Sequence, residues 1–144
     1  LTDPLTSKNA EKYRVIGWGR DLFPPMNNVV GIATTKAMKE NGDTLRAIIR
    51  ARRRGVEFMK ANPKEAAQII ATVYKMEPAV IENAIRQTGV TVDGVSYWGP
   101  GGINYKGLDN MIRAQKLVGA IKGDVDWSKI VDESFLPEDL RTKK

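Results

Sequence analysis

Two apolar runs rich in β-branched residues lie on either side of a proline connector near the start of the chain. The runs are YRVIGW, residues 13–18, and NVVGIAT, residues 28–34, and their composition is typical of buried strands. The connector DLFPP, residues 21–25, cannot continue a helix or a ladder because proline lacks the donor N–H. Two strands do not close a stable sheet alone. The sequence therefore predicts either a mostly helical domain or a sheet completed by residues outside this chain.

Helical signals dominate from Thr35 onward. A long helix is expected to begin with Asp43 at its N-cap, and Asn62-Pro63 with Glu65 marks the next start as a capping box with proline at N1. The predicted helices cover residues 35–40, 43–61, 63–74, 78–86 and 105–122. A loop or a hairpin is predicted for residues 88–104, in which VTVDGV could form two short strands around Asp93-Gly94. A short turn is predicted from Trp127, whose indole is expected to anchor it to the core.

Basic residues are concentrated in RAIIRARRRGVEFMKANPKEAA, residues 46–67. At 100° per residue, one polar stripe, made of Arg46, Arg50, Arg53, Glu57 and Lys60, lies opposite an apolar arc. No motif of a nucleic-acid-binding fold accompanies this stripe. The pattern therefore favours a solvated helix face, and no nucleic-acid partner is expected, although the net charge of +6 favours anionic partners in general.

Arg52 does not follow this separation, because it falls inside the apolar arc of the same helix. Burying an unpaired guanidinium costs several kcal/mol, on the order of what a buried ion pair loses with one partner. The side chain must therefore snorkel to water, pair with a carboxylate or meet an anionic ligand. These three options make Arg52 a candidate site residue.

The chain contains no cysteine and no histidine. Their absence excludes disulfides, thiolate chemistry, the Ser-His triad and the usual zinc ligands within these residues. Carboxylates and lysines could still do chemistry, but an enzyme is not expected, and neither is a metal or cofactor. The GPGG stretch, residues 99–102, lacks the spacing of a phosphate-binding loop.

The order of signals along the chain is similar to that of a known family. A DP turn, a strand, a proline connector and a second strand precede ANPKEAAQIIA at 61–71 and VYKMEPAVIENAI at 73–85, and GLDNMIRAQKLVGAIKGDVDWSKIVDESFLP follows at 107–137. This order resembles the C-terminal part of periplasmic substrate-binding proteins of ABC importers. The branch that it resembles includes binders of sulfonates, taurine, nitrate and thiamine-pyrimidine precursors.

The resemblance implies an α/β protein with two lobes around a ligand cleft. This chain would be the C-terminal portion of such a fold, mostly helical with a few short strands. Residues 1–20 would form the tail of the second lobe, residues 21–28 a hinge crossover, and residues 29–144 the helical C-terminal part of the first lobe. A missing N-terminal half, or another chain, would complete the sheet and supply most of the pocket.

Eight residues are candidates for contact with a ligand. The family's Glu-Pro dipeptide near the cleft has Asp-Pro as its counterpart here. The aromatic candidates lie in or beside loops, where they line a cleft or pack beneath the loop, and the asparagines offer amides to a ligand or make turns. The candidates are Asp3, Pro4, Trp18, Phe23, Asn27, Asn28, Arg52 and Trp98.

Three functions compete. The resemblance implies a binding protein that closes on a small, anionic solute and delivers it to a membrane permease, in the periplasm or as an extracellular lipoprotein. A pyrimidine-precursor synthase of the same fold is an alternative, although its chemistry depends on histidine and cysteine. A basic nucleic-acid-binding module is the third. The first residues, LTDPLTSKNAEKYR, do not have the pattern of a signal peptide.

Overall fold

The computed structural model describes residues 4–9, 12–27, 29–92 and 95–142. Within these ranges the chain is mainly helical, with one two-stranded sheet and two short 3₁₀ turns. The helices are α1 (Leu5–Asn9), α2 (Gly19–Leu22), α3 (Thr35–Glu40), α4 (Gly42–Ala61), α5 (Pro63–Tyr74), α6 (Pro78–Thr88) and α7 (Tyr105–Leu117). The strands are β1 (Thr91–Val92) and β2 (Val95–Ser96), and the 3₁₀ turns are Trp127–Lys129 and Glu138–Leu140.

Helices α3 to α6 confirm the periodicity predictions, whereas the predicted cap of α4 is wrong and the predicted cap of α5 is at Asn62 but lacks its side-chain hydrogen bond. The N-cap of α4 is Asn41 and not Asp43, and the helix already begins at Gly42. Pro63 is at N1 of α5 as predicted, yet Asn62 caps nothing with its side chain. Its amide instead donates to the carbonyl of Phe58 at 3.4 Å, because α4 ends at Ala61, immediately before this residue.

Helix α7 ends at Leu117, five residues before the predicted end at Lys122. Gly119 has a φ of +75°, the left-handed conformation that closes many helices. The amide of Ala120 donates to the carbonyl of Gln115 at 2.9 Å, as in a Schellman motif. The glycine therefore ends the helix where apolar periodicity alone would have continued it.

The predicted hairpin between α6 and α7 is present. Strands β1 and β2 pair antiparallel, with Thr91 opposite Ser96 and Val92 opposite Val95. The predicted turn residues, Asp93 and Gly94, lie outside the described residues. The hairpin leads directly into the stretch 97–102, which carries Trp98.

The two long strands predicted near the start of the chain do not form. Residues 14–18 and 29–34 have no regular secondary structure, and their side chains are strongly exposed, with Ile16 at 94%, Val29 at 84% and Ile32 at 92%. A strand needs a neighbouring strand for its N–H and C=O groups. In the described part of the chain the only sheet is the hairpin, which leaves these segments without a partner strand.

The core is small and lies between α5 and α6. Ala67, Ala71 and Ile81 are buried there, and Ile70, Met76 and Ile85 pack against them. The chain exposes 10998 Å², whereas a compact monomer of 16.0 kDa exposes about 7,400 Å². Much of the apolar surface is therefore not covered by the chain itself.

Helix α4 illustrates this incomplete coverage. Val56 and Met59 are buried, but Ile48, on the same predicted apolar arc, is 59% exposed, and Phe58 is 37% exposed. The helix thus packs along one edge of its apolar arc and leaves the other edge open. None of the helices described here has the length and apolar character needed to cross a bilayer.

Candidate functional site

Trp98 is fixed to the end of α6 by a hydrogen bond. Its indole Nε1 donates to the hydroxyl of Thr88 at 2.8 Å, and that hydroxyl donates in turn to the carbonyl of Ala84 at 2.7 Å. The neighbouring Tyr97 ring meets the indole edge to face, with 5.0 Å between centroids and 75° between planes. Trp98 is therefore held in one orientation beside the last turn of α6.

Arg52 connects α4 to the same stretch. The side chain escapes from the apolar arc to an exposed position, and its Nη1 donates to the carbonyl of Gly99 at 3.0 Å. Snorkelling is thus the option that the structure supports, because no carboxylate pairs with Arg52 among the described residues. We call residues 99–102, which include a glycine with a φ of +112° at Gly101, the glycine loop.

Trp18 is linked to the end of α6 through Arg20. The guanidinium of Arg20 lies 4.8 Å from the centroid of the Trp18 ring, a cation–π distance. The same guanidinium donates to the side-chain oxygen of Gln87 at 3.3 Å, and Gln87 precedes Thr88. Two of the candidate aromatic residues, Trp18 and Trp98, are therefore linked to consecutive residues of α6.

The residues Trp18, Arg20, Arg52, Thr88 and Trp98 form what we call the α6-end cluster. The cluster contains two guanidinium groups and two indole rings, and the Arg20 guanidinium lies 3.9 Å from the carboxylate of Asp21. Guanidinium groups bind carboxylate, sulfonate and similar anions through paired N–H donors, and indole rings stack on planar groups. The cluster is suited to holding an anion or a planar group.

The connector packs on α7 instead of on the α6-end cluster. The side-chain amide of Asn27 donates to the carbonyl of Asn104 at 3.3 Å, and Asn110 donates to the carbonyl of Pro25 at 2.8 Å. A Cβ on the buried Gly107 would lie 2.5 Å from Asn27 Oδ1. Asn27 is thus engaged in a close long-range contact with α7, which is neither a local turn nor a contact with a ligand.

The other candidates lie apart from the α6-end cluster. Phe23 is 61% exposed and follows α2. Pro4 is half-buried, and its carbonyl accepts the amide of Lys8 at 3.0 Å, at the start of α1. Asp3 and Asn28 lie outside the described residues. The structure therefore brings together three of the eight candidates, which are Trp18, Arg52 and Trp98.

Two open clefts lie elsewhere on the molecule. One, of about 370 Å³, lies where α3 meets α4 and is bordered by Phe135; the other, of about 440 Å³, lies between Pro63 and the outer face of α6. Neither is lined by a candidate residue. No metal-binding group of acidic side chains occurs in residues 4–9, 12–27, 29–92 and 95–142.

Sequence reasoning missed Arg20, Gln87 and Thr88. Arg20 is two residues from Trp18 in a stretch between strand and proline signals, so its proximity to that aromatic residue was a usable signal. Gln87 and Thr88 had none, because a polar residue in the last turn of an amphipathic helix is ordinary. Only the three-dimensional packing of 18–20 and 98–99 on α6 reveals them.

The comparisons agree with the resemblance in part. The family model described as NMT1/THI5 like matches residues 8–66, less than half of the chain. No curated protein and no solved structure matches the chain. The match supports a relationship to ABC-type substrate-binding proteins, and the predominance of helices fits a fragment of a periplasmic-binding-protein-like fold.

Proposed function

We propose that this chain is part of the solute-binding component of an ABC importer. It would help to capture a small anionic solute in a cleft that closes by movement about the connector at 21–28, and the closed form would deliver the solute to a membrane permease. The family match supports the proposal because residues 8–66 contain the connector and both extended apolar segments. We place the protein in the periplasm or, as a lipoprotein, at the outer face of a membrane.

The observation that carries the proposal is the exposure of the apolar segments 14–18 and 29–34. Ile16 and Ile32 are each more than nine-tenths exposed, and an apolar segment on each side of a proline connector suits two strands of one sheet. We propose that further polypeptide supplies the neighbouring strands. Such a sheet would also cover the open edge of α4, where Ile48 is 59% exposed.

The α6-end cluster supports an anionic solute. Arg20 and Arg52 bring two positive charges to it, and Trp18 and Trp98 supply flat apolar surfaces. A sulfonate, nitrate or an aromatic carboxylate combines the charge and planarity that these groups favour. Within the branch that the sequence resembles, we therefore propose an organic or inorganic oxyanion as the solute.

We propose that the chain is not an enzyme. The lack of histidine and cysteine supports this, because it removes the commonest general base and the thiolate nucleophile from these residues. A pyrimidine-precursor synthase of the same fold is the second candidate function. The description of the matching family, NMT1/THI5 like, supports it as an alternative. Formation of a pyrimidine precursor by the purified protein would identify this alternative.

A thermal-shift screen tests the proposal. Sulfonates, nitrate, aromatic acids and pyrimidines are each added to the chain together with the polypeptide that completes its sheet, and a bound solute raises the melting temperature because it binds only the native state. Trp18→Ala and Trp98→Ala should reduce the shift, whereas Trp127→Phe, at the indole that donates to Asp109 on α7, should not.

Two other results would count against solute binding. If none of the compounds changes the melting temperature, the solute-binding proposal fails. If instead the chain binds oligonucleotides with an affinity that falls steeply with salt, the basic nucleic-acid-binding alternative replaces it.

A further inference from the structure

Two adjacent residues of α4, Arg52 and Arg53, connect that helix to the glycine loop. Arg52 does so directly and Arg53 through Asp139. Arg52 binds the Gly99 carbonyl directly at 3.0 Å. Arg53 instead forms an ion pair with Asp139, with 2.8 Å between Nη1 and Oδ2. Asp139 belongs to the C-terminal segment 124–142, which returns to α4 after α7. The two arginines therefore connect α4 to two different pieces of chain that meet at the loop.

Leu140 is the point at which those two pieces touch. A Cβ on Gly102 would lie 3.0 Å from the carbonyl oxygen of Leu140 and 3.7 Å from its Cβ. A Cβ on Gly101 would lie 3.3 Å from Arg52 Nη1 and 3.9 Å from a methyl group of Leu140. The glycine loop is thus enclosed between the Arg52 guanidinium and Leu140, the residue that follows the ion-paired Asp139.

We infer that the Arg53–Asp139 pair is a positioning device for Trp98: it holds Leu140 against the glycine loop, which Arg52 also contacts, and so fixes the segment that directly follows the indole. The ion pair is partly sheltered, with 32% of the Arg53 side chain and 58% of the Asp139 side chain exposed. Its hydrogen bond is also the largest cause of the raised pKa of the Arg53 guanidinium. The role of Trp98 in ligand contact rests on the proposed function, whereas the control of the loop does not.

Two substitutions make a matched test, because each removes the negative charge of one of the two carboxylates that bind Arg53. Asp139→Asn removes the partner next to the loop, and Glu57→Gln removes the other, which is on α4 itself at 3.1 Å. Hydrogen exchange of the Trp98 indole N–H, which donates to Thr88 at 2.8 Å, is measured together with its resonance position. A partly exposed ion pair is worth a small free energy, so Asp139→Asn should speed the exchange of this N–H by about two- to fivefold.

The Trp127 indole is an internal reference, because it donates to Asp109 on α7 at 2.7 Å and should not move in either variant. Arg53→Lys should preserve the slow exchange, and 1 M sodium chloride should accelerate it in the unmodified chain. The inference is overturned if Asp139→Asn and Glu57→Gln change the exchange of the Trp98 indole N–H equally, or if Asp139→Asn leaves it unchanged. These readings need no solute, so a failed solute screen would not affect them.

Discussion

The hydroxyl of Thr88 accepts the Trp98 indole N–H at 2.8 Å and donates to the Ala84 carbonyl at 2.7 Å. A single side chain at the end of α6 thus joins the last helical turn to the stretch 97–102. Because a hydroxyl both donates and accepts, threonine can satisfy both groups at once. The orientation of Trp98 therefore depends on a residue of ordinary helical character.

Thr88→Val retains the shape of this side chain but removes the hydroxyl. It leaves the half-buried indole N–H without its partner, so unfolding free energy should fall by about 1 kcal/mol, and Trp98 emission should move to longer wavelength. Denaturant unfolding followed by fluorescence measures both. Thr88→Ser keeps the hydroxyl and should behave like the unmodified chain; equal losses in the two variants would mean that the hydrogen bond contributes nothing.

Gly107→Ala and Gly55→Ala place the same methyl group in two helices with opposite expected results. At Gly107 the new Cβ would lie 2.5 Å from Asn27 Oδ1, so the Asn27 side chain must shift from its place against α7, and stability should fall by about 1–3 kcal/mol. At Gly55 nothing lies within 4 Å, and alanine should stabilise α4 by about 0.5–1 kcal/mol. Thermal unfolding of both variants checks the pair, and a stabilising Gly107→Ala would refute the close contact.

The local elements could be predicted from the sequence because their signals are local. Pro63 and Pro78 occupy the first positions of α5 and α6, and the hairpin lies where its turn residues indicated. The strands at 13–18 and 28–34 could not be placed in this way, since a strand depends on a partner that the described chain does not supply. In the candidate site, Trp18 and Trp98 were identified as loop aromatics, but their connection through Arg20 and Thr88 depends on tertiary packing.

Two isoleucines differ sharply in burial, one in the packed core and one in the exposed first segment. Ile81 is 3% exposed in the α5–α6 core, and Ile16 is 94% exposed in the first extended segment. Ile81→Ala should cost about 2–5 kcal/mol, whereas Ile16→Ala should change the stability of the isolated chain by no more than about 0.5 kcal/mol. Urea unfolding measures both free energies. A large loss from Ile16→Ala would show that the first segment is packed, contrary to the account.

The 3₁₀ turn at Trp127–Lys129 should weaken in acid. The Ser128 hydroxyl, 2.6 Å from Asp126 Oδ1, is the largest cause that lowers the pKa of Asp126 below its ordinary 3.8. A lowered pKa means that the folded turn binds the proton less tightly than the unfolded chain. The stabilisation is therefore complete at a pH above the ordinary pKa of Asp126, and it is lost as the pH falls through the lowered pKa of the folded turn.

Amide exchange of residues 127–131, measured as the pH is lowered below about 4, checks this dependence. Asp126→Asn should make exchange faster at neutral pH and remove its acid sensitivity once the intrinsic pH dependence is subtracted. Ser128→Ala removes the hydroxyl donor, and its exchange rate should lie between those of the unmodified chain and of Asp126→Asn. An acid response that survives in Asp126→Asn would assign the titration to another group.

Thiol labelling tests most directly whether the segments 14–18 and 29–34 are strands of a sheet that further polypeptide completes. Because the chain contains no cysteine, Ile16→Cys and Ile32→Cys each introduce one thiol, and Gly123→Cys supplies an exposed control. In the purified chain all three should react with a maleimide as fast as in urea. In the cell, with the partner polypeptide present, the thiols at positions 16 and 32 should react at least about tenfold more slowly, since a paired and covered strand must open first, while the one at 123 stays fast. Equal rates at all three positions in the cell would contradict the account.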